Sequence, residues 1–125
     1  MTVISSALGY TDAVSRLLAA IEERGLTVLG RIDHAAGARQ AGLELAGEEV
    51  LLFGSATTGT PLMQSDARVG IELPLRLLVW EDADGTRIGY RDPRRLSAQY
   101  ELAGHEDTLE RMNELLAELA RTAAR

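Results

Sequence analysis

Two one-sided helical stripes, near opposite ends of the chain, constrain the fold more than any other feature. Val14, Leu17, Leu18 and Ile21 recur at i, i+3, i+4 and i+7, and Leu109, Met112, Leu115, Leu116 and Leu119 repeat the pattern. A helix that is apolar on one side needs an apolar surface to lie on. The spacing predicts helices over 12–24 and 106–123. The first has Thr11 as N-cap, Asp12 in its first turn and Gly25 as a left-handed C-cap.

Short strand-like runs between the stripes provide that surface. Thr2–Ser6 is rich in β-branched residues, and 26–32 places Leu26, Val28 and Ile32 on one face. Glu49–Phe53 is apolar after its first residue and suits a central strand buried on both faces. Leu75–Glu81 and Thr86–Arg91 flank Asp82-Ala83-Asp84-Gly85, a hairpin turn. Short helices are expected near 34–40, capped by Asp33, near 61–68, with Thr60 as N-cap and Pro61 first, and near 93–99. The expected fold is α+β, a mixed five-stranded sheet with helices packed on it, in a single domain over 1–125.

Composition excludes several chemistries. There is no cysteine, so thiolate nucleophiles, thiolate metal sites and disulfides are absent. All 13 basic residues are arginine, which removes Schiff-base and P-loop lysines. A net charge of −6 argues against nucleic acid as a partner. No apolar run is long enough for a membrane span, and no secretory leader is evident, so a cytoplasmic location is expected.

The densest candidate segment is Gly54-Ser55-Ala56-Thr57-Thr58-Gly59-Thr60-Pro61. Gly54 and Gly59 have phosphate-loop spacing, but Thr60 stands where the lysine belongs and Pro61 where a metal-binding hydroxyl belongs. What survives is a weaker site for a small anionic ligand, with Thr57, Thr58 and Thr60 hydroxyls beside a helix start; the competing reading is a turn whose hydroxyls cap the next helix. His34 at a helix start could accept a proton or serve as a ligand, or simply pack. Met63 could join it as a soft axial ligand to haem, although methionine more commonly fills a core. No spacing typical of a metal site occurs. Glu72 and Asp92 could do acid–base work only where their environments separate their pKa values.

Several short elements then fall in a familiar order. Asp33-His34-Ala35-Ala36, Ala41-Gly42-Leu43-Glu44-Leu45, Phe53-Gly54, Gly59-Thr60-Pro61-Leu62-Met63, Glu72-Leu73-Pro74-Leu75 and Tyr90-Arg91-Asp92-Pro93 resemble the family called domain of unknown function 302. Ser55-Ala56 replaces the family's Asn-Pro, and Glu72 its aspartate. The resemblance implies an α+β sandwich that forms homodimers, and supplies no reaction or cofactor. The resulting expectation is a homodimeric small-ligand-binding module with His34, Gly54, Thr57, Gly59, Thr60, Met63, Glu72, Tyr90 and Asp92 at its site. The alternatives are an enzyme using His34 with Glu72 or Asp92, and an interaction protein without a ligand.

Overall fold

The computed structural model describes residues 1–125. Strands β1 (Thr2–Ser6), β2 (Thr27–Asp33), β3 (Glu48–Gly54), β4 (Leu75–Asp82) and β5 (Gly85–Tyr90) form one sheet in the order β1-β5-β4-β3-β2. The helices are α1 (Tyr10–Glu23), α2 (His34–Gln40), α3 (Ala56–Ser65) and α4 (Glu106–Thr122), with 3₁₀ segments at Ala67–Glu72 and Pro93–Ala98.

The α+β class and the five strands are as expected, but the sheet is antiparallel throughout rather than mixed. β2, β3 and β4 each pair with the next strand in sequence, and β5 pairs back with β1. β1 and β2 run in the same direction, yet α1 carries the chain across the sheet and sets them on opposite edges. The two strands that a helical crossover would make parallel neighbours therefore never meet.

Both long helices pack on one face. Ala13, Leu17 and Ile21 of α1, with Leu116, Leu119 and Ala120 of α4, close over Leu51, Phe53, Leu77, Val79 and Ile88. A second cluster of Leu62, Val69, Leu96, Leu102, Leu109 and Met112 joins α3 and the 3₁₀ segments to α4.

Helix ends follow the sequence in part. Gly25 has φ 71° and donates to the Glu22 carbonyl at 2.9 Å, while Leu26 donates to Ile21 at 3.2 Å, closing α1 as the glycine predicts. The N-cap is Gly9 rather than Thr11, and the helix starts two residues closer to β1 with Asp12 still in its first turn.

Two further expectations are corrected. A bulge between Val28 and Gly30 shifts the β2 register, so Val28 faces the helices opposite Phe53, whereas Ile32 faces away opposite Val50. The segment after β3 is not a loop: α3 begins at Ala56, Ser55 is its N-cap, and Pro61 lies inside the helix. Proline there only denies the Thr57 carbonyl an N–H donor, and Thr57 is exposed, so water can satisfy it.

The second face of the sheet is unusual for one left to solvent. Val3, Gly89, Leu78, Val50 and Ile32 stand in register as one row across all five strands. An outward face normally alternates to polar residues. This row is apolar from edge to edge, and β3 is buried only on its helix side, at Leu51 and Phe53, while Val50 and Leu52 are half-buried.

Candidate functional site

The largest concavity lies at the end of the sheet where β2 and β4 begin and β3 ends. Thr27 pairs with Gly54, and Leu75 with Phe53, which brings three chain turns together. The cavity measures about 730 Å³ and is walled by Leu26 and Leu29, by Gly54 to Ala56, Thr58, Gly59 and Met63, by Leu73 to Leu75, and by Arg111, Met112 and Leu115. That size is within the range of small-molecule sites.

Gly25, Gly54, Gly59 and Gly70 line this space. A Cβ on Gly59 would meet Leu73 Cδ1 in ordinary contact at 3.4 Å, and one on Gly70 would meet Met63 Sδ at 3.3 Å, so the flexible Met63 side chain packs close to both glycines. Ser55 caps α3 with its carbonyl, accepting from Thr58 at 3.1 Å and Gly59 at 3.0 Å, while its hydroxyl makes no capping bond.

Gly54, Gly59 and Met63 line this cavity, together with Ser55 and Ala56, the two departures from the family pattern. Thr57 and Thr60 do not: both are exposed on other sides of α3. His34, Glu72 and Tyr90 border a different cleft of about 590 Å³ that runs along the bare sheet face past Ile32, Val50 and Leu78. Asp92 borders neither, standing instead in a shallow depression beside Met1, Thr2 and Arg91.

His34 follows the last residue of β2, whereas Met63 of α3 lines the cavity beside its first, Thr27. Those strand ends are about 20 Å apart at a strand's rise per residue, so the two side chains are not placed to share a metal or haem. No group of three or more His, Asp or Glu side chains is placed to hold a metal ion.

The carboxylates proposed for acid–base work are already occupied. Glu72 accepts from Arg95 Nη2 at 3.0 Å and from the Tyr100 hydroxyl at 3.0 Å. Arg95 beside it, with help from Tyr100, holds its carboxyl below the usual range. Asp92 caps the Pro93–Ala98 segment through Arg94 N at 2.9 Å and pairs with the Arg94 guanidinium at 2.6 Å, which lowers its carboxyl as well. An acid–base pair needs environments that push two groups apart; here both are pushed the same way, towards permanent ionisation.

Another polar cluster lies at the far end of the sheet. Glu49, almost fully buried, takes two bonds from Arg31 at 2.6 and 3.2 Å. Next to them the Tyr10 hydroxyl is buried without a partner. Burial, reinforced by Glu49, Asp33 and Glu81, pushes this phenol up to about 12.

Arg111 was not anticipated as a cavity residue. The signal was available: Thr108, Arg111, Met112 and Leu115 form their own i, i+3, i+4, i+7 stripe, adjoining the core stripe of α4. The stronger leucine stripe conceals it.

Comparison with known proteins agrees with this architecture. The family described as "Domain of unknown function DUF302" matches residues 1–119. The crystal structure of an uncharacterised conserved DUF302 protein from Bacillus stearothermophilus is similar, with a TM-score of 0.87 and 18% identity, covering 99% of this chain and 97% of that one. Curated relatives named fluoride-specific ion channel FluC 1, from Brucella suis, and FluC 2, from Brucella melitensis, are each 34% identical over 108 residues, 86% of this chain. The chain spans only 42% and 40% of their respective lengths, and none of its own helices is long and apolar enough to cross a membrane. On the strength of the match over residues 1–119, the chain belongs to the DUF302 family of domains of unknown function.

Proposed function

We propose that this chain is a small-ligand-binding module, homodimeric and cytoplasmic, whose site is the cavity at the β3–α3 junction. The observation that carries the reading is the lining itself. A cavity of about 730 Å³, predominantly apolar and floored by glycines, opens where Phe53-Gly54 and Gly59 to Met63 carry the family pattern. Ligand sites combine such apolar walls with a few polar groups. The apolar row on the second sheet face supports self-association, because a second copy would bury it. A cysteine-free chain suits the cytoplasm.

Titration of ¹⁵N-labelled protein with 1-octanol, an uncharged apolar probe, tests the site. The amides of Gly54, Gly59 and Gly70 should shift together, and Ala56→Phe, which fills the mouth of the cavity, should abolish the shifts without altering the rest of the spectrum. Absent or scattered shifts, or shifts that persist in Ala56→Phe, would sink the reading.

A further inference from the structure

The chemistry of the cavity wall specifies more than size. Its only charged residue is Arg111, and no carboxylate lines it. Six of the chain's arginines, Arg24, Arg31, Arg68, Arg87, Arg94 and Arg95, are taken up in ion pairs, and Arg111 is not among them. Its one side-chain bond is a long contact of 3.4 Å to the Thr108 hydroxyl. Among the nearby acids of α4, Glu110 is turned to Arg94 at 3.2 Å, and neither Asp107 nor Glu114 pairs with Arg111.

The remaining polar side chains of the wall are the hydroxyls of Thr27, Ser55 and Thr58. Each can donate to an oxygen acceptor. Leu26, Leu29, Met63, Leu73, Met112 and Leu115 add only hydrocarbon and thioether surface to the wall. One cation, hydroxyl donors and an apolar interior together describe the complement of an amphipathic anion.

Resting on the small-ligand reading above, we infer that the cavity takes an aliphatic monocarboxylate, its chain among the leucines and methionines and its carboxylate at Arg111. Arginine suits this task because its planar fork matches a carboxylate with two parallel bonds. The protein's net charge of −6 opposes any anion at long range. That repulsion is screened over about 8 Å at physiological ionic strength, whereas a contact at the guanidinium is not.

Three probes with the same eight-carbon chain separate charge from hydrophobicity: octanoate, 1-octanol and octylammonium. Amide shifts at Gly54, Gly59 and Gly70 give the affinities. Octanoate should bind about tenfold more tightly than 1-octanol, the scale of one charge-assisted hydrogen-bonded contact, and octylammonium more weakly than either. In Arg111→Gln the octanoate affinity should fall to that of 1-octanol, whose own affinity stays unchanged, and Arg111→Lys should recover part of the difference. Arg111 is exposed, so these variants keep the fold. Equal binding of octanoate and 1-octanol, a preference for octylammonium, or an unchanged octanoate preference in Arg111→Gln overturns the inference while leaving the ligand reading intact. If none of the three probes shifts those amides, the ligand reading itself fails.

Discussion

The ring of Tyr10 packs against Gly47 so closely that a Cβ at position 47 would lie 2.7 Å from both Cδ1 and Cε1 of the ring. Tyr10 opens α1, and Gly47 leads into β3, where its N–H donates to Glu81 at 3.0 Å. The contact therefore holds the start of the first long helix against the beginning of β3. Gly47→Ala should destabilise by about 1–3 kcal/mol, the usual cost of overpacking a fixed contact. Combining it with Tyr10→Ala should cost less than the sum of the two single changes. Chemical denaturation of the four proteins in the cycle checks this, and strict additivity would show that ring and glycine do not meet.

The same tyrosine carries a hydroxyl that is buried without an acceptor. A buried donor without a partner costs roughly 1–3 kcal/mol relative to its absence, so Tyr10→Phe should leave stability unchanged or raise it. A pH signature accompanies this. The folded phenol is held up to about 12, chiefly by burial and then by Glu49, against about 10 in an unfolded chain. The folded state then binds the proton more tightly, so stability is intact below pH 10 and declines as pH rises towards 12. Tyr10→Phe should flatten that decline in denaturation midpoints, and an unchanged slope would place the titrating group elsewhere.

At acid pH the sign reverses, and Asp66 should dominate. It is buried, caps the Ala67–Glu72 segment through Arg68 N at 3.0 Å, and accepts from Glu101 N at 3.0 Å and Arg68 Nη2 at 2.8 Å. The Arg68 guanidinium first, and the Glu101 N–H second, hold its carboxyl far below the ordinary range. A depressed carboxyl supports the fold above its unfolded value near pH 4 and loses that support as pH falls further. Asp66→Asn should lower the thermal midpoint by several degrees at pH 7 and by much less at pH 2 to 3. A deficit of equal size at both pH values would mean that the charge contributes nothing.

The frame of this fold was legible because its signals are periodic and local. The stripes of α1 and α4, the turn before Gly85 and the left-handed Gly25 follow from spacing and backbone sterics alone. What was not legible depends on neighbours distant in sequence. The bulge that turns Ile32 to the opposite face from Val28 is settled by pairing with β3, and the proline of α3 is tolerated because Thr57 faces solvent. The candidate site divides the same way. The family pattern led to Gly54, Gly59 and Met63, which do share a cavity, but grouped them with His34, Glu72 and Tyr90, which border another cleft. Linear order carries no record of which end of a strand a residue will reach, and Arg111 comes to the cavity from a helix some 50 residues further along.

The row from Val3 through Gly89, Leu78 and Val50 to Ile32 yields the last prediction. Its central positions are supported by Trp80, which packs with Met1 over Gly89, where a Cβ would lie 3.0 Å from the indole. Its two ends, Val3 and Ile32, are each 47% exposed on edge strands. Charging the ends should spare the monomer's core and act on any partner that covers the row. If a second copy covers it, the wild-type chain sediments as a dimer, and Val3→Glu with Ile32→Glu sediments as a folded monomer, with an unchanged far-ultraviolet spectrum. The single tryptophan provides an independent readout, since Trp80 is half-buried on this face. Its emission should move to longer wavelength on dilution of the wild type, and should start there in the double variant. A wild-type chain that sediments as a monomer across the micromolar range, with emission independent of concentration, would leave the row without a second copy to cover it and would remove homodimerisation from the functional reading.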